Sequence, residues 1–221
     1  MDVNYLLVFV KEPLDGFVKT RLIPEFGVQG ATRIARVLLD ATIALCTEIS
    51  QLDTMSIQVI LVVAPDKRSP FWQYLIDQNS RFSLEQQQAG DLGARLTAAV
   101  EPKLERNSKV VCIGSDCPSL QTQDIELAFS QLERVDACIY PAEDGGYVLL
   151  GLRRWQSGFF QSIAWSSDQV FVQTLERCQA LQLSYFVGEK FRDVDQPADV
   201  RAELKMSHGQ YPSQDSESHR I

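Results

Sequence analysis

Short runs of apolar, largely β-branched residues alternate along the chain with segments whose apolar positions recur every three or four residues. Val3–Val10 and Ile57–Ala64 are nearly all apolar and bounded by turn formers, the pattern of strands covered on both faces. Between them, Ile34, Leu38, Ala41, Leu45 and Ile49 predict a long helix from Gln29 to about Ile49. A short helix is expected over Ser69–Asp77, starting at Pro70, then a strand over Phe82–Gln87 and a helix to about Leu104. Val110–Ile113 is a further apolar run, stopped by Gly114-Ser115-Asp116-Cys117-Pro118. Thr122 is placed to cap the next helix, whose face carries Ile125, Ala128, Phe129 and Leu132.

The second half repeats the alternation. Asp136–Pro141 reads as a strand and Val148–Leu152 as an apolar segment. A capping-box spacing from Ser166 to Gln169 predicts a helix with Phe171, Leu175, Cys178 and Gln182 along one side. Ser184–Val187 is a last short strand before a closing helix to about Lys205. The expected architecture is a single-domain, three-layer α/β/α sandwich with a mainly parallel central sheet over residues 1–206, followed by a polar tail, 207–221.

Charge narrows the partners. A formal net charge of −8 over 221 residues argues against a nucleic-acid polymer or an anionic membrane surface, both of which need a dominant basic face. No apolar run approaches the ~20 residues that span a bilayer, and Met1-Asp2-Val3-Asn4 lacks the basic region of a secretory signal, so a cytoplasmic location is expected. The five cysteines are widely spaced within apolar segments and read as reduced small hydrophobes. Both histidines, His208 and His219, lie in the polar tail, which leaves no imidazole in the body for a Ser-His or Cys-His pair. Chemistry in the body must use carboxylates, lysine, arginine, hydroxyls or a metal.

Five stretches carry such groups. The loop after the first strand gathers Lys11, Lys19 and Arg21 around Gly16; the cations and free N–H groups could converge on phosphate, or Glu12 and Asp15 could offset them in a solvated loop. Asp116, at a strand end beside a proline, suits Mg²⁺ or Mn²⁺ and equally suits a turn closed by its own side chain. Glu143-Asp144-Gly145-Gly146 joins two acids to two residues of bare backbone, fit for close ligand approach or for a turn between strands. Asp193, Asp195 and Asp199 precede the closing helix, where Asp199 falls in the first turn favoured by the helix dipole. Gly90-Asp91-Leu92-Gly93, at another helix start, fits a base or ribose against the backbone, or a plain cap by Asp91.

Taken together, FVKEPLDGFVKTRL, GDLGARL, IGSDCP, PAEDGGYVLLGL, the WSS segment and DVDQPADV resemble the glycosyltransferase-A-like family of selenodomain-associated transferases (type one), from Tyr5 to about Leu204. The resemblance implies a fold similar to nucleotide-diphospho-sugar transferases. It implies that Lys19 and Arg21 grip a triphosphate, that Asp116 with Asp193 or Asp195 holds the metal, and that Glu143, Asp144, Gly145 and Gly146 face the acceptor. Gly90, Asp91 and Gly93 would lie near the nucleotide. Gln196 and Ala198 depart from the family's threonine and glutamate, and Ser167 from its threonine. The expectation is a transferase dependent on Mg²⁺ (or Mn²⁺) that uses a nucleotide and a small-molecule acceptor, with Lys19, Arg21, Asp116 and Asp144 as its catalytic groups. Nucleotidyl transfer to a phosphorylated or cofactor-like acceptor is favoured over glycosyl transfer from a nucleotide sugar, since no DxD triplet ends the central strand. A non-catalytic nucleotide-binding module is the third reading.

Overall fold

Seven strands form one sheet in the computed structural model, which describes residues 3–52, 55–106 and 108–204. They are β1 (Asn4–Lys11), β2 (Ile57–Ala64), β3 (Phe82–Gln86), β4 (Val110–Gly114), β5 (Ala137–Pro141), β6 (Tyr147–Leu152) and β7 (Tyr185–Val187), in the order β3-β2-β1-β4-β6-β5-β7. The order places β1 and β4 side by side and parallel at the centre, with Tyr5 opposite Val110 and Phe9 opposite Gly114. Only β6 runs antiparallel to its neighbours among the described strands. Its chain reaches it from β5 through Ala142–Gly146, too short for the crossover that a parallel pairing would need. The sheet is therefore mainly parallel, as the uninterrupted apolar runs predict.

Alternation along the strands splits the core between two faces. Leu6, Val8 and Val10 pack on one side with Cys46 and Ile49 of α1 (Ile23–Ser50), Trp72 of α2 (Pro70–Gln78) and Ile125 and Phe129 of α4 (Thr122–Gln131). Leu7, Ile60 and Val62 pack on the other with Leu96 and Val100 of α3 (Leu92–Val100) and Cys178 of α5 (Val170–Ala180). A third, smaller cluster stands apart: Leu22, Ala31, Ile34 and Leu38 meet Val194 and, from α6 (Pro197–Glu203), Val200. This satellite cluster docks the end of the first loop against the late acidic segment.

Several helix starts differ from expectation. α1 begins at Ile23, earlier than Gln29, but Gly27 at φ 70, ψ 170 breaks its first turn, so the regular helix follows that residue. The cap of α4 is Gln121, whose N–H donates to Asp124 Oδ2 at 2.8 Å, whereas the Thr122 hydroxyl donates to Glu48 Oε2 across to α1. α5 begins at Val170, and the Ser166–Gln169 capping box does not form, because Ser166 takes a left-handed φ of 65. Ser167 acts there, its Oγ accepting from Gln169 N and donating to Ala164 O. The five cysteines are free and all but Cys117 are buried. No described helix is long and apolar enough to cross a membrane. His208, His219 and the polar tail lie outside the described residues.

Candidate active site

The C-terminal ends of β1 and β4 open on the same side of the sheet because the two strands are parallel, and this is where α/β sheets present ligands. Past β4, Asp116 is fixed through its carbonyl oxygen, which accepts from Val194 N at 2.7 Å. Past β1, the first loop returns at Lys19, held at φ 46, ψ 43, a left-handed conformation that costs a lysine energy. That turn brings Lys19 Nζ to 2.8 Å from Asp116 Oδ1 and 2.6 Å from Val194 O. Two residues on, Arg21 pairs with Asp195 Oδ2. First loop, β4 end and late acidic segment thus meet at one point.

Asp116 stands between two lobes of a cleft. One, of about 430 Å³, is lined by Asp116, Asp144, Asp168 and Asp193 with Arg21 as its cation. The other, of about 320 Å³, is lined by Lys11, Lys19, Arg21 and Arg95 against Asp116 and Asp195. One lobe is acidic and the other basic. Burial, then the charge of Asp144, push the Asp193 carboxyl up to about 6, with smaller contributions from Asp116 and Asp195. A carboxyl held in that environment favours a cation beside it.

Hard oxygen donors of this kind fit Mg²⁺ or Mn²⁺. Among the described residues no group of three or more His, Cys, Asp or Glu is arranged to enclose a metal, but Mg²⁺ is commonly held by one or two carboxylates and completed by water and phosphate. Asp116 faces both lobes, Asp193 the acidic one and Asp195 the basic one.

The predicted residues divide into those at the cleft and those behind it. Lys11, Lys19, Arg21, Asp116, Asp144, Gly146, Asp193 and Asp195 line it. Gly16, Gly90, Asp91, Gly93 and Gly145 do not. Asp91 caps α3 by accepting from Ala94 N at 2.8 Å, and Gly90 O accepts from Arg95 Nε, which braces that guanidinium. Gly93 leaves room for Trp165: a Cβ there would sit 2.6 Å from the indole nitrogen. Gly145 turns at φ 91 against the backbone of Asp168, and Gly146 N donates to Asp144 Oδ1 at 2.8 Å, fixing that carboxylate at the acidic lobe. Glu143 points elsewhere, paired with Arg192 at 2.8 Å, and Asp199 closes the α6 cap through Gln196 N.

Asp168, Tyr147, Gln87 and Phe17 also line the cleft, though the sequence pattern does not mark them as site residues. The Tyr147 hydroxyl is buried with no hydrogen-bond partner among the described residues, and burial pushes it up from its ordinary value. Arg95 could have been found, since it follows Gly93 within the GDLGARL stretch.

The fold is that of the nucleotide-diphospho-sugar transferases. A protein of Desulfovibrio desulfuricans provisionally named as such a transferase superposes with a TM-score of 0.81 at 26% identity, over 97% of this chain and 92% of that one. The 4-diphosphocytidyl-2C-methyl-D-erythritol synthase of Anaerococcus prevotii shares the fold at a TM-score of 0.58 and 10% identity, over 93% and 99% of the two chains. A manganese complex of a Mycobacterium tuberculosis protein does so at 0.51 and 14%, over 94% and 100%. No curated protein sequence matches the chain. The family model described as "Uncharacterized protein conserved in bacteria (DUF2064)" matches residues 47–167, and the chain belongs to that family.

Proposed function

We propose that the cleft is the active site of a metal-dependent transferase that moves a nucleotidyl group from a nucleoside triphosphate to a small acceptor. The observation that carries this reading is the junction of a basic and an acidic lobe at Asp116, with Lys19 touching the carboxylate. The basic lobe takes the phosphates: Lys19 and Arg21 neutralise charge on them, and Lys11 and Arg95 add attraction at its rim. The acidic lobe takes the acceptor, and its charge favours a hydroxyl-bearing molecule of low negative charge over a phosphorylated one. Asp116 with Asp193 or Asp195 would hold Mg²⁺ or Mn²⁺, which when bound neutralises phosphate charge and polarises the phosphoryl group.

In the reaction the acceptor oxygen bonds to the α-phosphorus, the bond to the bridging oxygen breaks and pyrophosphate departs. Asp144, oriented by Gly146 N, takes the acceptor's proton. Holding both reactants across Asp116 supplies alignment, and the preset cations supply charge stabilisation, so no histidine is required. The likeness to a provisionally named nucleotide-diphospho-sugar transferase favours a second reading, glycosyl transfer from a nucleotide sugar.

The two are separated by their leaving groups. Incubation of the protein with Mg²⁺, a nucleotide panel and polyol acceptors should release pyrophosphate. Nucleoside diphosphate released from a nucleotide sugar would establish the second reading instead, and metal-independent nucleotide binding without turnover would leave only a binding module.

A further inference from the structure

The basic lobe holds an apolar wall and an amide that phosphate binding leaves unexplained. Phe17 is 76% exposed, the most exposed large hydrophobic side chain among the described residues, and it lines this lobe with Leu92, itself 40% exposed. Leaving an aromatic ring in water forgoes the stabilisation of burying it, roughly 1.5–3 kcal/mol. A flat apolar ligand group between the two side chains would recover it.

Gln87 directly follows β3 and lines the same lobe. Its Nε2 donates to Val10 O at 3.0 Å and to Val62 O at 2.9 Å, which engages both amide hydrogens. The amide cannot be reversed, because its oxygen would then face two carbonyl oxygens. Among the described residues no donor reaches Gln87 Oε1. The side chain therefore presents the lobe with a fixed acceptor and no donor.

We infer that this end of the lobe is a nucleobase site in which Phe17 stacks on the ring and Gln87 Oε1 accepts from an exocyclic amino group. The nucleotide would then carry cytosine, adenine or guanine. Uracil and thymine lack that amino group: their one donor, N3–H, stands between two carbonyl oxygens, which would be brought against Gln87 Oε1 and weaken the contact. This selection rests on the reading of the basic lobe as the nucleotide side of the cleft.

Calorimetric titration of the full chain with Mg²⁺ and CTP, UTP, ATP, GTP, ITP and inorganic triphosphate tests both halves. The tightest ligand should be an amino-bearing nucleotide that binds about tenfold or more tighter than its deaminated counterpart, CTP against UTP or a purine against ITP. Phe17→Ala, at an exposed position that leaves folding intact, should weaken nucleotides by about tenfold and leave inorganic triphosphate unchanged. Gln87→Leu should erase the CTP-to-UTP ratio, and if it fails to fold, the ratios on the native protein decide. UTP or ITP binding within about threefold of the best amino nucleotide overturns the Gln87 role. Equal binding of inorganic triphosphate and nucleotides overturns the stacking role. Binding of none of these ligands overturns the nucleotide reading of the cleft, and the base site with it.

Discussion

Lys19 and Asp116 are joined by a 2.8 Å ion pair in which the lysine side chain is 7% exposed and the aspartate 52%. The buried member is the cation, so removing its partner and removing the lysine itself have unequal consequences. An ammonium taken out of water needs compensation, and Asp116 Oδ1 and Val194 O supply it.

Asp116→Asn should therefore lower stability by about 1–3 kcal/mol, read from the denaturant midpoint at unchanged slope, and abolish metal-dependent nucleotide binding. Lys19→Met, which withdraws the buried charge and keeps the volume, should stay within about 1 kcal/mol of the native protein. It should nevertheless weaken nucleotide binding by tenfold or more, on the order of one charge-assisted contact. Equal loss of stability in both variants would show that the pair is structural only.

Arg21 presents the opposite balance. It is 62% exposed and its pairing with Asp195 is open to solvent, so Arg21→Ala should change stability by less than about 1 kcal/mol. As a phosphate ligand at the junction of both lobes it should matter far more to turnover, with kcat/KM falling by about tenfold or more. Thermal melts alongside steady-state kinetics check the contrast.

At Gly145, φ 91 coincides with a Cβ position only 2.2 Å from Asp168 O. Gly145→Ala should cost about 2–4 kcal/mol and shift the Asp168 segment that borders the acidic lobe. Gly16→Ala is the control: φ is 79 but nothing lies within 4 Å, so only the backbone penalty of about 1 kcal/mol remains. Chemical denaturation of the two variants measures the difference.

Acid should loosen the far edge of the sheet. Burial would raise the Asp136 carboxyl, but hydrogen bonds from Ser184 and Arg153 outweigh it and hold the group below its ordinary value. With the folded value the lower one, its stabilisation is fully present above the unfolded value of about 3.9 and is lost as pH falls through the folded value. Asp136→Asn should be about 1–2 kcal/mol less stable at pH 7, and the gap should narrow as pH drops below about 3.9. Paired melts across that range measure the slope.

The apolar runs made the strands and the mainly parallel sheet legible, and Gly114 to Pro118 marked where the central strand stops. Long-range pairing left no local trace. Nothing near Lys19 tells that it reaches Asp116, and nothing in Asp193-Val194-Asp195 tells that alternate carboxylates face different lobes. The hairpin use of Gly145 and the cap by Asp91 were visible because turns and caps are local events. The Ser166 cap failed for a tertiary reason: Gly145 O accepts from Phe171 N and Trp165 packs against Gly93, which leaves the intervening chain to bend before α5 can start. Gln121 as a cap was hidden because glutamine is not among the residues that usually serve there.

The small satellite cluster of Leu22, Ile34, Leu38, Val194 and Val200 should give the cleft a thermal weak point of its own. Apart from their ion pairs and hydrogen bonds, the segments bearing Lys19, Arg21, Asp193 and Asp195 are held together by this small contact, outside the two large layers that hold the sheet. Warming should disarm the protein before it melts, and the amide of Val194, bonded to Asp116 O, is the hydrogen whose early exchange would report it.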